Sequence, residues 1–369
     1  MNVQKLSVSD YRNFETASFS FDPDTIHILF GRNAQGKTNL IEAIYFLSHL
    51  RSWRTSKTPS LIRHGAELFR IEAKVENKGR LESLKLIFSQ GKKYLFRNDK
   101  PVQTFSNFVG ILNAVLFSPD DLQIFSDPPK ERRKLVDMEL VKLSRSYTNV
   151  LGRFNKLLKD RSAVLKAYKP DEVLLDTITE QMIEAQVVLI SQRYAFIKLW
   201  EAKASEIFPC FNEGKETLHI RYKTCVDPAS SPDEMKKQLT QAYQKTRQKD
   251  KQMKTTAVGI HKDDLEFYLN ERLVTQTASQ GQKRSIVLAL KVGLCKVIKE
   301  KTGQHPVLLL DDVFSELDES RRAGLIASLP DEIQIFITTA EPVSPSWFKR
   351  PVRFYTIDHG VMKEGIYDV

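Results

Sequence analysis

Residues 31–38 read Gly31-Arg32-Asn33-Ala34-Gln35-Gly36-Lys37-Thr38, and this stretch decides the fold. It fits the pattern G-x-x-x-x-G-K-[ST] at every fixed position. Before it lies a short apolar run, Thr25 to Phe30, of the kind found in a buried strand. After it, from Asn39, the residues Leu40, Ile41, Ala43, Ile44 and Leu47 fall on one helical face. Strand, glycine-rich turn and helix in this order make a phosphate-binding loop. Its glycines let the backbone aim N–H groups at phosphates, and the helix N-terminus adds a favourable dipole. Gly31, Arg32, Asn33, Ala34, Gln35, Gly36, Lys37, Thr38 and Asn39 are the candidate nucleotide-binding residues. Lys37 is expected to reach the β- and γ-phosphates and the Thr38 hydroxyl to ligate Mg²⁺.

Working outward, Leu6 to Tyr11 and Ala17 to Phe21 alternate like strands, and short alternating runs from Leu68 to Phe96, punctuated by Gly79 and Gly91, predict an antiparallel sheet. The character changes after Asp127-Pro128-Pro129. Val136, Leu140, Leu143, Tyr147, Val150, Phe154 and Leu157 form one apolar seam, and Leu175, Ile178, Met182, Ala185, Leu189, Phe196 and Trp200 form a second beyond Pro170. Two helices of about 35 to 40 residues would make an antiparallel arm about 50 to 60 Å long. A plain core bundle is the alternative. From Thr256 the alternating character returns, with buried-strand runs at Val307–Leu310 and Ile333–Ile337 around a helical stretch, Glu319 to Ser328. The expected division is an N-terminal part of an ATPase domain (1–125), an inserted helical lobe (126–255) and the C-terminal part of the ATPase domain (256–369).

Two further stretches carry chemistry. Leu308-Leu309-Leu310 ends in Asp311-Asp312. Asp311 is placed to hold the Mg²⁺ shell and Asp312 to orient or deprotonate an attacking water, while a helix N-cap is the other reading of the pair. Ser279-Gln280-Gly281-Gln282 precedes a helix from Ser285 to Val297, a second anion-binding device in the chain. One ATP needs only one P-loop. If Ser279, Gly281 and Gln282 close over the nucleotide of a second copy, the result is a head-to-tail dimer with shared ATP sites; an ordinary serine cap is the alternative.

The 369 residues carry 56 Lys and Arg against 46 Asp and Glu, a net charge of +10. Composition is that of a globular protein, which excludes fibrous and natively unfolded classes. No apolar run approaches a membrane span, and the start is too polar for a secretory signal, so a cytoplasmic protein is expected. Cys210, Cys225 and Cys295 lack the spacing of a zinc site or a disulfide framework. Between Lys130 and Lys169 there are twelve Lys and Arg, among them Arg132, Arg133, Lys134, Arg153, Lys156, Lys159 and Arg161, against four acids. Lys245, Arg247, Lys249, Lys251 and Lys254 form a second basic stretch in a segment that reads as a loop. Each stretch is either a solvated face or a surface for a phosphate backbone.

The order of P-loop, helical insertion, Ser-Gln-Gly-Gln and Leu-Leu-Leu-Asp-Asp, with Ser315-Glu316-Leu317-Asp318 behind it, resembles the ATP-binding-cassette ATPases of the SMC-like kind. Within that group the chain is similar to the RecF family of bacterial recombination and repair proteins. Tyr11-Arg12-Asn13-Phe14, Phe117-Ser118-Pro119-Asp120-Asp121-Leu122, Asp127-Pro128-Pro129-Lys130-Glu131-Arg132-Arg133 and Gly259-Ile260-His261-Lys262-Asp263-Asp264 support the likeness. The resemblance implies an α/β fold: an ABC-type P-loop ATPase head, a mixed sheet with helices, carrying an inserted antiparallel α-helical lobe. It implies ATP and Mg²⁺ as cofactors and a slow, DNA-stimulated ATPase that dimerises on ATP, holds DNA and lets go on hydrolysis. Ser279 and Gly281 would contact the partner's γ-phosphate, and Ser315 to Asp318 would be the D-loop at the dimer interface. Implied partners are gapped, single- or double-stranded DNA together with RecR and RecO, in loading RecA at single-strand gaps and in the SOS response. The family's Q-loop residue stays open between Arg51–Thr55 and Gln90. Two departures point to slow turnover. Ile337 leads into Thr338-Thr339-Ala340-Glu341 where many cassette ATPases place a histidine, and Asp312 stands where a Glu is commoner. The alternative functions are an SMC-like chromosome structural ATPase and, less well matched, the nucleotide-binding subunit of a transporter.

Overall fold

The computed structural model describes residues 1–32, 35–212, 216–340, 343–358 and 361–365; Asn33 and Ala34 of the P-loop and Glu341 lie outside the described residues. The chain forms two compact units. One is Met1–Leu122, Lys203–Glu216 and Gln280–Val369, and the other is Gln123–Ala202 and Thr217–Ser279.

In the first unit, β1 (Asn2–Tyr11), β2 (Phe14–Ser20) and β3 (Ile26–Phe30) precede α1 (Lys37–His49), and β4 (Leu68–Asn77), β5 (Arg80–Ser89), β6 (Lys92–Arg97), β7 (Lys100–Pro101) and β8 (Ala114–Phe117) follow. The second unit holds α2 (Pro129–Leu143), α3 (Arg145–Lys166), most of α4 (Glu172–Ile207), β9 (Leu218–Lys223), α5 (Pro232–Met253), β10 (Asp264–Leu269), β11 (Arg272–Leu273) and α6 (Val274–Thr277). The first unit resumes with α7 (Gln280–Thr302), β12 (Val307–Asp311), α8 (Glu319–Ser328), β13 (Ile335–Thr339), β14 (Val352–Asp358) and β15 (Val361–Gly365).

Among the described residues the first unit has two sheets. One, ordered β2-β1-β4-β5-β6-β7, is antiparallel throughout. Its hairpins turn at Lys78-Gly79 and Gln90-Gly91, both residues of each pair at positive φ, as two-residue turns between right-twisted strands require. The other is ordered β15-β14-β3-β13-β12-β8, parallel except for the edge strand β15. Helix α1 touches β8, β12 and β13 of this sheet and β4 and β5 of the other. Ten of its thirteen residues are therefore buried, not just the one face expected from Leu40, Ile41, Ile44 and Leu47. Each such aliphatic side chain contributes about 1.5–3 kcal/mol by leaving water.

In the second unit, α4 is continuous over 36 residues and buries Leu175, Ile178, Met182, Ala185, Leu189, Phe196 and Trp200 as the seam predicts. The first seam is not one helix. At Ser144 the backbone is extended, and its hydroxyl accepts the Tyr147 N–H at 3.1 Å, so the serine starts α3 rather than prolonging α2. The basic segment read as a loop is helical. Ser231 caps α5 with Pro232 in its first turn, and Met235, Leu239 and Tyr243 are buried at a spacing of four. Arg247 and Lys251, one turn apart, both pair with Glu172 of α4, at 2.6 and 2.5 Å. Residues 256–279, expected with the C-terminal ATPase part, pack mostly with the helices, because β10 pairs with β9 and Asp264 with Arg132. Among the described residues no helix is long and apolar enough to cross a membrane.

Candidate functional site

The parallel sheet levels the ends of three strands. Leu29 and Phe30 pair with Thr338 and Thr339, and Asp311 pairs with Thr338, so β3, β12 and β13 release their following loops at one edge. In parallel sheets ligands collect at that carboxyl edge. The loop after β3 must turn sharply into α1, and Gly36 does so at φ +117°. A Cβ there would stand 3.0 Å from Phe14 Cζ and 3.1 Å from Asn13 Nδ2, so only glycine fits. Asn13 braces the same loop. Its amide donates to the Gln35 carbonyl at 3.2 Å, and its oxygen accepts from Asn39 at 2.7 Å.

Lys37 follows at the start of α1, mostly buried, with its ammonium donating to the carbonyls of Gly31 and Arg32. Burial pushes its pKa down, and the nearby carboxylates of Asp312 and Asp311 pull it back up. The Thr38 hydroxyl donates to Asp311 Oδ1 at 2.9 Å, and the Thr338 hydroxyl donates to the same oxygen at 2.7 Å. Burial raises the Asp311 pKa, and these two hydroxyls oppose the rise. Asp312 is exposed, in the left-handed region at φ +52°. Neither acid caps α8, whose N-cap is Asp318. Thr38 and Asp311 offer a hydroxyl and a carboxylate, hard oxygen donors side by side. That set suits Mg²⁺, which usually takes one or two protein oxygens and completes its shell with phosphates and water.

Glu42 carries a signal that the sequence reading passed over. It is an acid inside an apolar run on α1, fully buried, and it accepts a bidentate pair of bonds from Arg12 at 2.7 and 2.8 Å and one from Ser52 at 2.5 Å. Arg54 donates to Asn39 at 2.8 Å and lies 3.5 Å from Glu42, which ties the Arg51–Thr55 segment to the P-loop helix. In the sequence Thr338 marks only the place of a missing histidine, yet its hydroxyl bonds the Asp311 carboxylate and the Asp312 backbone.

The Ser279–Gln282 stretch leads into α7. Ser279 directly precedes the helix and is exposed. Gln282 donates to Glu216 at 2.6 Å, and a Cβ on Gly281 would stand 3.0 Å from the Arg321 guanidinium. Arg284 pairs with Glu316 at 2.5 Å, and Arg321 donates to Ser285 at 2.9 Å, so α7 is fastened to the Ser315–Asp318 stretch and to α8 of its own chain.

The basic residues of the helical unit divide into two kinds. Arg132 grips Asp264 with two bonds at 2.7 and 2.8 Å, and Arg133 donates to the Asp263 carbonyl. Arg161 is buried, paired with Asp250 at 2.9 Å and stacked over Tyr243. These arginines hold the unit together. The exposed cations of α3 are Arg145, Arg153, Lys156, Lys159 and Lys166.

The chain matches the family model of the RecF/RecN/SMC N-terminal domain over residues 2–363. It is similar to the DNA replication and repair protein RecF of Halalkalibacterium halodurans, 34% identical over 100% of this chain and 98% of the relative. RecF of Bacillus cereus is 36% identical over 92% of each chain. Among solved structures, the recombination mediator protein RecF with ATP, in the RecFOR pathway, superposes with a TM-score of 0.90 at 27% identity, covering 99% of this chain and 97% of that one. An Smc head bound to the C-terminal winged-helix domain of ScpA shares the fold alone, at a TM-score of 0.55 and 16% identity over 98% of this chain and 97% of that one.

Proposed function

The chain belongs to the RecF family, within the wider RecF/RecN/SMC N-terminal domain family, and from that premise we propose that it is an ATP-dependent DNA-binding protein of recombination and repair. Residues 31–39 hold ATP, with Lys37 on the β- and γ-phosphates. Thr38 and Asp311 would hold Mg²⁺, which would screen the phosphate charge, and Asp312 orients or deprotonates the attacking water. Ser279 and Gly281 of one copy, backed by Gln282, close over the γ-phosphate held by a second copy, and Ser315 to Asp318 lie along the shared interface. ATP binding thus closes a head-to-tail dimer on DNA and hydrolysis opens it. Turnover is slow, because Asp312 has a short reach and hydroxyls, which are poor bases, stand where an imidazole would be.

The solvent-facing cations of α3 supply a surface for the phosphate backbone. In the cytoplasm the protein would help to load RecA at single-strand gaps together with RecO and RecR, in keeping with the RecFOR pathway of its structural relative. The observation that carries this reading is the hydrogen bond from Thr38 to Asp311, which joins the P-loop to the acidic strand end. Single-turnover ATP hydrolysis with and without gapped DNA tests it. Slow hydrolysis accelerated by DNA and absent in Lys37→Met is expected; a rate indifferent to DNA and to Lys37 would overturn the reading.

A further inference from the structure

Thr338 is nearly inaccessible, 1% exposed, on a strand whose neighbour carries Asp311 in register. A threonine hydroxyl has one proton to donate and lone pairs with which to accept. Here both capacities serve the same acidic pair. The proton goes to Asp311 Oδ1 at 2.7 Å, and the oxygen accepts the Asp312 N–H at 3.1 Å. The Thr338 carbonyl accepts from that N–H as well, at 3.2 Å. Asp312 stands at φ +52°, a conformation that residues with a side chain rarely adopt. In a continuing strand the two acids would simply alternate between the faces of the sheet. The left-handed turn ends β12 instead, leaving Asp311 buried against Thr38 and Asp312 exposed.

We propose that Thr338 is the positioning residue of the acidic pair: its one hydroxyl holds Asp311 against Thr38 and pins the Asp312 backbone in the turn that presents the second carboxylate. The role rests on the reading above, in which Asp311 serves Mg²⁺ and Asp312 the attacking water. It also gives the end of β13 a task that does not need an imidazole. A threonine that merely filled the core would be replaced by valine without loss, since valine has the same shape and a strong preference for strands.

Thr338→Val and Thr338→Ser, made in the full chain, separate the possibilities through three readouts: ATP binding in EDTA, the tightening of that binding by Mg²⁺, and single-turnover hydrolysis. The valine variant is expected to bind ATP in EDTA within about twofold of the parent. It should lose most of the Mg²⁺-dependent tightening and slow hydrolysis by about tenfold or more. The serine variant, which keeps the hydroxyl, should restore both to within about threefold. Valine performing like threonine overturns the proposal. So does serine failing as badly as valine, or binding in EDTA falling in step with hydrolysis. If the parent itself hydrolyses no ATP, the proposed function fails, and the Mg²⁺ tightening still decides the role of Thr338.

Discussion

The Thr38 hydroxyl lies 2.9 Å from Asp311 Oδ1, 273 positions away along the chain. Only the parallel pairing of β3 with β13 and of β13 with β12 brings the two together. The acid is held in a buried place where its charge is disfavoured. An acid whose folded pKa is raised weakens the fold at neutral pH, and its neutral isostere relieves that cost. Asp311→Asn is therefore expected to raise the melting temperature by about 2 °C or more while abolishing hydrolysis. Differential scanning calorimetry at pH 7 checks the sign, and a fall in melting temperature would show that the carboxylate is structural.

Gly36→Ala places a methyl group against Phe14 and Asn13 on a backbone at φ +117°. The strain should lower stability by about 1–3 kcal/mol. With this loop as the proposed phosphate cradle, affinity for a fluorescent ATP analogue should fall by about tenfold or more. Unaltered affinity would mean that the loop is not the nucleotide cradle.

Much of this site is legible in the sequence, and the reason is local. Gly31, Gly36, Lys37 and Thr38 stand in one short loop at the spacing that phosphate binding calls for, and Asp311-Asp312 closes a four-residue apolar run, bounded by Pro306, that forms β12. The parts that were not legible depend on distant partners. Arg132 and Arg133 read as a basic surface, but Asp264, 132 positions further on, takes Arg132 into an internal pair. Helix α5 shows only three spaced apolar anchors, Met235, Leu239 and Tyr243, within a polar stretch, and further grip comes from ion pairs to distant residues, Arg161 with its Asp250 and Glu172 with its Arg247 and Lys251. Ser144 interrupts an unbroken apolar seam through a cap bond that the periodicity of its neighbours does not record.

The division of the basic residues gives a contrast in salt dependence. Replacing Lys156, Lys159 and Lys166 by Gln should make the slope of log affinity for duplex DNA against log salt shallower by about two to three. Arg132→Gln should leave the slope unchanged and instead destabilise the fold by about 1–3 kcal/mol, because Asp264 loses its partner. Fluorescence anisotropy at several salt concentrations distinguishes the two. An unchanged slope in the triple variant would place the DNA surface off α3.

His27, on β3, is enclosed by Phe21, Phe336 and Tyr355, and burial pushes its pKa down to about 4. The folded chain keeps it neutral, whereas the unfolded chain protonates it near pH 6.5. Its contribution to stability is thus full above about pH 6.5 and is lost progressively as the pH falls towards about 4. Urea unfolding should show about 2 kcal/mol lost between pH 7 and pH 5 from this residue, and His27→Gln should flatten the dependence. Equal slopes in the two proteins would mean that His27 does not titrate between them.

The shared nucleotide site is tested by the mass in solution, measured by light scattering with ATP and Mg²⁺, with ATP and EDTA, and without nucleotide. The mass should double with ATP and Mg²⁺ alone, and Ser279→Arg, which still binds ATP, should stay monomeric under every condition. A parent protein that remains monomeric with ATP and Mg²⁺, or a Ser279→Arg variant that dimerises as well as the parent, would contradict the head-to-tail dimer.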